Sequence, residues 1–172
     1  GYVLTHTRAF LRSKDIRLVG GIDTDQVRRG EFSRVTGMRA WTSISDFSCS
    51  GSVHPDIVSL CTPDHVRMSE IKRIITLRPK IVLIEKPLAL TVSEGVQIAT
   101  LLRRAHIPAY VNYMRRLDPF YLQLRKRIVS RHFGVPFSMR VNYTGGLFKN
   151  GSHFVDLMLF FFGAPRKVTM LS

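Results

Sequence analysis

A charged pair, Glu85 and Lys86, directly follows the apolar run 81–84 and precedes Pro87. The run predicts a strand, so the pair lies at a strand's carboxyl end, where open α/β sheets bind their ligands. Pro87 disfavours helical backbone at Lys86, which helps to fix the direction of its side chain. A partly buried lysine there could donate a hydrogen bond to a substrate oxygen. The structural alternative is an exposed Glu-Lys pair at the end of a strand.

His153 and Asp156 are the two titratable residues of the apolar segment 152–162. Helical spacing places them on one face, and a helix that is apolar all round is expected to be buried. Burying two titratable groups is costly unless each has a partner. A carboxylate can orient an imidazole, so the two residues indicate an acid–base pair. A hydrogen-bonded core histidine is the structural alternative.

Asp23 closes the apolar run 16–22, 22 residues after Gly1. Dinucleotide-binding folds place at this distance the carboxylate that accepts hydrogen bonds from the ribose hydroxyls. A carboxylate there favours NAD and repels the 2′-phosphate of NADP, although Arg28 and Arg29 lie close enough in sequence to keep NADP open. A cap for the helix that begins near Thr24 is the equal alternative.

Continuous apolar runs predict buried parallel strands at 16–22, 57–60, 81–84 and 107–111. Helical spacing predicts helices between them, at 4–11, 69–77 and 91–104, the last with Thr91 as cap. This alternation predicts a doubly wound α/β sheet. Thr62 and Pro63 follow the second run and could line a nicotinamide pocket, or form only a turn into the next helix.

The pattern changes after Val111, and we expect a domain boundary near residues 112–117. The second unit is predicted to contain a helix that begins at Asp118-Pro119, a strand at 135–143, a helix at 152–162 and a strand at 167–171. A doubly wound sheet needs a central first strand, which would precede Gly1. We therefore expect the chain to be a fragment, clipped at both ends.

The chain has 172 residues, 45% of them apolar, two cysteines and a net charge of +14. Two unclustered cysteines exclude a disulfide scaffold and argue against a metal site. No apolar run reaches the ~18 residues of a membrane span, and we expect a cytoplasmic protein without a membrane partner. The charge could attract nucleic acid. However, the eight cations within 103–131 follow no recognition-helix pattern, so nucleic acid is the less favoured partner.

Four stretches of the sequence occur in an order that identifies a family: VSLCTPDHV, VLIEKPLALTVSEG, VNYMRRLDPFY and GGLFKNGSHFVDLMLFFFG. In these stretches the chain resembles the glucose–fructose oxidoreductase / inositol dehydrogenase / MocA (Gfo/Idh/MocA) family. The resemblance implies an NAD(P)-binding Rossmann domain at 1–113, without its first strand. It also implies the start of a C-terminal α/β domain with an open sheet at 114–172, and a homo-oligomer when the protein is full length.

The resemblance also implies site residues. Lys86 would bind the reacting hydroxyl and His153 would be the general acid or base, and both are therefore the expected catalytic residues. The expected cofactor site, for NAD or NADP with NAD favoured, consists of Gly1, Asp23, Thr62, Pro63, Glu85, Lys86 and Pro87. The expected substrate site consists of Asn112, Arg116, Tyr143, Asn150 and His153. The family often has an aspartate four residues before the histidine, where this chain has Lys149.

These observations predict an NAD(P)-dependent oxidoreductase that transfers hydride to or from a hydroxyl-bearing carbon. The expected substrate is a sugar, a cyclitol or a nucleotide-sugar-like molecule, and the basic charge would suit an anionic one. The replacement by Lys149 leaves a non-catalytic dinucleotide-binding sensor or structural homologue as the main alternative. A basic nucleic-acid-binding protein is the third.

Overall fold

The computed structural model describes residues 5–51 and 53–169. Within them, two parallel sheets are present. Strand β1 (Gly21–Ile22) pairs with β2 (Ala40–Trp41). Strands β3 (Ile57–Leu60), β4 (Ile81–Ile84) and β5 (Ala109–Val111) form the second sheet, in that order. All of these pairs are parallel, which confirms the sheet type predicted from the continuous apolar runs.

Helices separate and follow the strands. Their bounds are α1 (His6–Arg12), α2 (Gln26–Thr36), α3 (Ile44–Cys49), α4 (Arg67–Thr76), α5 (Val92–Arg104), α6 (Pro119–Val129) and α7 (Ser152–Phe162). The predicted caps are confirmed for α5 and α6. Thr91 Oγ1 accepts a hydrogen bond from the Glu94 amide at 3.2 Å, and Asp118 Oδ1 accepts one from the Phe120 amide at 2.8 Å. Each satisfies an amide that the first helical turn leaves without a partner.

The main hydrophobic core lies between the sheets and α3, α4 and α5. Ile71 and Ile74 on α4, Ile98 on α5, and Val82 and Ile84 on β4 are fully buried in one cluster. Burial of an aliphatic side chain contributes about 1.5–3 kcal/mol, so these residues hold the helices against the strands. The amphipathic spacing of α4 and α5 is therefore what places them next to the sheet.

The sheet nearest the amino terminus differs from the prediction. The predicted strand 16–22 is reduced to Gly21–Ile22, because only these two residues have register partners, Ala40 and Trp41. Sequence patterns did not predict β2 or α3. They indicated only the start of α2, near Thr24, and α2 has no buried residue to produce an apolar stripe. A doubly wound order places one more strand between β1 and β3, and the described residues provide none.

After β5 the chain forms α6 and α7, joined by a long irregular segment. The predicted strand at 135–143 is wrong, because no described segment pairs with it and its backbone therefore has no ladder to join. Residues 167–169 are also not a strand, and 170–171 lie outside the described residues. An open sheet is thus not present among the described residues of this region.

Helix α7 has the predicted bounds but is not buried on all sides. Asp156, Leu157 and Phe161 are buried, whereas Val155 and Phe162 are 46% and 47% exposed among the described residues. The buried side packs on α6 and on the short helix Met114–Leu117. Across the described chain, no helix has the length and apolar content needed to span a membrane.

Replacing Ile98 with alanine should lower the free energy of unfolding by about 2–5 kcal/mol, because it leaves a cavity in the main core. Denaturant titration of the purified protein measures this change. Val92→Ala is the matched control, since Val92 lies on the same helix and is 85% exposed. Equal losses in the two variants would contradict the core described here.

Candidate active site

The carboxyl ends of three parallel strands lie level with one another. Leu60 pairs with Ile84, and Ile84 pairs with Val111. The residues that follow these strands, Cys61, Glu85 and Asn112, therefore lie side by side at one edge of the sheet. Consistent with this arrangement, Asn112 Nδ2 donates a hydrogen bond to Glu85 Oε1 at 2.7 Å. Ligands of open α/β folds bind at this edge.

His6, in the first turn of α1, reaches the same edge. Its Nε2 lies 2.7 Å from Glu85 Oε1 and its Nδ1 lies 2.6 Å from Ser59 Oγ. The neighbouring Cys61 makes the largest contribution to raising the pKa of His6 to about 9; the nearby Glu85 also contributes, although burial opposes the shift. His6 is therefore an imidazolium at neutral pH, and both of its ring nitrogens donate.

Glu85 is correspondingly an anion. Burial favours its neutral form, but hydrogen bonds from Asn112 and His6 outweigh burial and hold the pKa of Glu85 below its ordinary value. Sequence analysis missed His6, because one polar residue in a short helix produces no periodic signal. Its position in the first turn of the helix after Gly1 was the available clue, since that turn faces the sheet edge in dinucleotide-binding folds.

Arg67 joins the turns that follow β3 and β4. It is 2% exposed, its Nη2 donates to the Thr62 carbonyl at 2.7 Å, and its Nη1 donates to the Pro87 carbonyl. Burial lowers the pKa of this guanidinium. The two turns that carry predicted site residues, 62–63 and 85–87, are thereby held together. The peptide bond between Lys86 and Pro87 is cis.

The residues expected to hold a cofactor fit such a group. The Thr62 hydroxyl is buried and has no hydrogen-bond partner among the described residues. Buried polar atoms are nearly always hydrogen-bonded, so an unpartnered hydroxyl at the carboxyl edge of the sheet suits a bound ligand. Gly1, the first residue of the expected cofactor site, lies outside the described residues.

Asp23 follows β1, as predicted, but it is not the helix cap. Asp25 caps α2 by accepting from the amides of Val27 and Arg28, while Asp23 Oδ1 accepts from the Asp25 amide at 2.9 Å. Arg29 Nη1 donates to the backbone carbonyls of Asp23 and Thr24. The carboxylate of Asp23 is therefore free of the capping role that was its structural alternative.

Lys86 bridges the sheet edge to the region before α7. Its Nζ donates to the Lys149 carbonyl at 2.7 Å, within the π-helical turn Leu147–Gly151. This contact brings Lys86 close to His153, which lies two residues after the end of that turn. The two residues expected to be catalytic are thus in one place, although they lie far apart in sequence.

His153 has an unusual environment. Burial lowers its pKa, and the nearby positive charges of Lys86 and Arg115 lower it further. Its Nδ1 is buried with no hydrogen-bond partner among the described residues, and its ring lies edge-on to Tyr113 at a centroid distance of 6.0 Å. The imidazole is therefore neutral at pH 7 and able to accept a proton.

The predicted pairing of His153 with Asp156 is wrong. Both carboxylate oxygens of Asp156 accept from Arg116 Nε, at 2.9 and 2.8 Å. Asp156 is buried, and a buried carboxylate is costly unless a cation pairs with it, which the Arg116 guanidinium does here. Arg116 was expected to border the substrate, and in the structure it anchors α7 to the short helix Met114–Leu117.

The remaining predicted substrate residues lie around the turn before α7. The ring of Tyr143 stacks on Phe154 at 6.3 Å. A Cβ atom on Gly151 would lie 2.7 Å from the Tyr143 ring, so glycine is required for this contact. Asn150 Nδ2 donates to the Thr144 carbonyl at 2.7 Å. These contacts shape the turn that carries Lys149.

A parallel sheet with polar residues and an unpartnered hydroxyl at its carboxyl edge has the arrangement by which open α/β folds bind ligands. Residues 2–113 match the model of the oxidoreductase family with an NAD-binding Rossmann fold, Gfo/Idh/MocA. The chain belongs to this family. The match confirms the family resemblance, the Rossmann fold and the NAD-type cofactor expected from the sequence. No curated protein sequence matches the chain.

Several solved structures have the same fold. A candidate myo-inositol dehydrogenase from Sinorhizobium meliloti has a TM-score of 0.76 at 22% identity, over 93% of this chain and 52% of its own. The WlbA dehydrogenase from Bordetella pertussis, in complex with NADH and UDP-GlcNAcA, has a TM-score of 0.75 at 23% identity, over 92% of this chain and 51% of its own. An oxidoreductase from Agrobacterium radiobacter, in complex with NAD⁺, L-tartaric acid and magnesium, has a TM-score of 0.77 at 18% identity, over 91% of this chain and 50% of its own. The chain therefore spans about half the length of these structures.

The raised pKa of His6 predicts a pH-dependent stability. A histidine whose pKa rises from 6.5 to about 9 on folding contributes stability that is complete below pH 6.5 and is lost as the pH rises through 9. The free energy of unfolding of the wild type, relative to His6→Gln, should therefore decrease between pH 6.5 and 9. Urea titrations across this range measure it.

NMR titration of the His6 ring is the direct control. The pKa should be about 9 in the wild type and lower in Cys61→Ala, because Cys61 makes the largest contribution to the shift. A wild-type ring that titrates near 6.5 would contradict the contacts described here.

Proposed function

We propose that the protein is an NAD-dependent oxidoreductase that transfers hydride to or from a hydroxyl-bearing carbon of a sugar-type or cyclitol-type substrate. The observation that carries the proposal is the meeting of Lys86 and His153 at the carboxyl edge of a Rossmann sheet. Lys86 is a fixed hydrogen-bond donor, and His153 is a neutral imidazole. Alcohol oxidation needs a group of each kind at the reacting hydroxyl.

The cofactor would lie along the sheet edge, held by Asp23 at the ribose and by Thr62 and Pro63 near the nicotinamide. Glu85 and Pro87, in the turn that Arg67 fixes, would border it. When bound, the nicotinamide supplies the hydride chemistry. Arg29 is bound to backbone carbonyls rather than directed outward, which supports the preference for NAD over NADP. Arg28 stays exposed, 3.9 Å from the Asp23 carboxylate, so the preference rests on that carboxylate.

The protein's own residues would manage the hydroxyl group of the substrate. Lys86 Nζ would donate a hydrogen bond to the hydroxyl oxygen and stabilise the negative charge that develops there. The imidazole of His153 would accept the hydroxyl proton, and its lowered pKa keeps it unprotonated and ready to do so. In the reverse direction the same nitrogen would return the proton.

Two neighbouring structures support a polyol or sugar derivative as the substrate class, one through its description as a myo-inositol dehydrogenase and one through its bound UDP-GlcNAcA. We also infer that residues 1–113 form the cofactor domain and 114–172 the start of a substrate domain. In support, the main core contains none of the described residues beyond Ile107. A homo-oligomer of the full-length protein is part of the same proposal.

A non-catalytic dinucleotide-binding sensor is the second candidate. Lys149 stands where the family often has an aspartate, and Asp156 is bound to Arg116, so no carboxylate in the described part of the chain orients His153. Such a protein would bind NAD and oxidise nothing. The experiments below distinguish it from the enzyme.

In the full-length protein, Lys86→Ala should lower kcat by about 10²–10³-fold, because it removes the donor to the reacting oxygen. The affinity for NADH should change little, since the lysine contacts the substrate more than the adenosine end of the cofactor. Initial rates of NADH formation with a panel of polyols and nicotinamide fluorescence titration measure the two quantities.

Lys72→Ala is the control, because Lys72 is an exposed lysine of α4 remote from the sheet edge. An unchanged kcat in Lys86→Ala would contradict the proposed role. NADH binding without turnover of any polyol by the wild type would favour the sensor.

Asp23 should determine the choice of cofactor. Its carboxylate accepts hydrogen bonds from ribose hydroxyls and repels a 2′-phosphate, so NADH should bind about 10-fold or more tightly than NADPH. Asp23→Asn should reduce this preference, and Arg34→Gln, which changes another exposed arginine of α2, should leave NADH affinity unchanged. Fluorescence titration of both cofactors decides; a wild-type preference for NADPH would contradict the assignment.

A further inference from the structure

Three nitrogen-bearing side chains meet beside the turn 147–151: Lys86, Arg115 and His153. The Lys86 ammonium is fixed at the Lys149 carbonyl. The Arg115 guanidinium lies 4.6 Å from the centroid of the Phe154 ring, and Phe154 directly follows His153 in the sequence. The side chain of Lys149 is exposed on the same turn. Two positive charges, those of Lys86 and Arg115, therefore lie near His153.

The carboxylates near this cluster are already occupied. Glu85 is bound to His6 and Asn112, and Asp156 is bound to Arg116. Among the described residues, no carboxylate lies within ion-pair distance of Lys86 or Arg115. The cluster thus has an excess of positive charge that the described residues do not neutralise.

Arg115 is also held as a receptor would hold it. Its Nη1 is buried without a hydrogen-bond partner, although the residue as a whole is only half-buried. Stacking on Phe154 restricts the guanidinium plane, so little freedom remains to be lost on binding. A solvated surface arginine would have neither feature, and a planar fork of donors matches a carboxylate or a phosphate.

We propose that the substrate of this site carries an anionic substituent, a carboxylate or a phosphate, which Arg115 binds next to the reacting hydroxyl. The inference rests on the proposed function and specifies its substrate class. Lys86 serves the hydroxyl oxygen, the half-buried Arg115 binds the anion, and the ammonium of Lys149 adds attraction from the exposed side. In this arrangement Lys149, which replaces the aspartate often found in the family, contributes to the specificity for an anionic substrate.

The test compares three probes that share one ring and differ in charge: D-glucose, D-glucuronate and D-glucose 6-phosphate. Each is titrated by calorimetry into the full-length protein saturated with NADH. At least one of the two anions should bind about 10-fold or more tightly than glucose, because hydrogen bonds to charged groups are the strong ones. The tighter anion identifies the source, carboxylate or phosphate.

Arg115→Gln should remove the preference for the anion, and Arg115→Lys should retain part of it, because the charge remains while the fork is lost. Arg104→Gln, an exposed arginine of α5, is the matched control and should keep the full preference. If Arg115→Gln does not fold, Arg115→Lys and the measurement that follows still decide.

NMR titration of His153 is the second measurement. Its pKa is lowered by burial and by Lys86 and Arg115, with Glu85 and Asp156 acting in the opposite direction. A bound anion should raise this pKa, and glucose should not, because the anion offsets the two cations. The shift should be absent in Arg115→Gln.

Equal binding of glucose and both anions, no binding of either anion, or a preference retained in Arg115→Gln would overturn the inference. The proposed function fails separately, by the absence of NADH binding or of turnover. Oxidation of neutral polyols without any preference for anions would leave the oxidoreductase in place and remove only its anionic substrate.

Discussion

The level ends of β3, β4 and β5 are the constraint on which the site depends. Parallel pairing in register places Cys61, Glu85 and Asn112 at one edge, and this edge receives His6 from α1 and the turns that Arg67 ties together. A slip of one residue in β4 would turn Glu85 to the opposite face of the sheet. The fully buried residues Val82 and Ile84 make such a slip costly, since it would expose them.

Charge is distributed around this edge in two distinct ways. The imidazolium of His6 and the carboxylate of Glu85 neutralise each other and fix the turn that follows β4. Arg116 and Asp156 neutralise each other in the same way and fix α7. Lys86 and Arg115, the cations beside His153, have no such partners within residues 5–51 and 53–169. This difference separates residues that stabilise the fold from residues available to a ligand, and it keeps His153 neutral at the pH where a base is useful.

Local sequence patterns predicted the strands of the second sheet, the bounds of α7 and the caps of α5 and α6. These features depend on apolar spacing and on a side chain a few residues from the amide it satisfies. The strand predicted at 135–143 failed for a complementary reason. Alternating residues are typical of a strand, but a strand exists only where a second segment accepts its hydrogen bonds, and none does so here among the described residues.

The sequence by itself determined the family and the cofactor class. It also predicted Lys86 and His153 as the catalytic residues, because each of these two residues belongs to a short motif. Only the tertiary structure decided their partners. Whether Asp156 would meet His153 or Arg116 depends on how α7 packs against a helix 40 residues earlier. The place of His6 beside Glu85 depends in the same way on how α1 meets the end of β4. Partners of buried charges are chosen by packing across the fold, and no spacing along the chain records that choice.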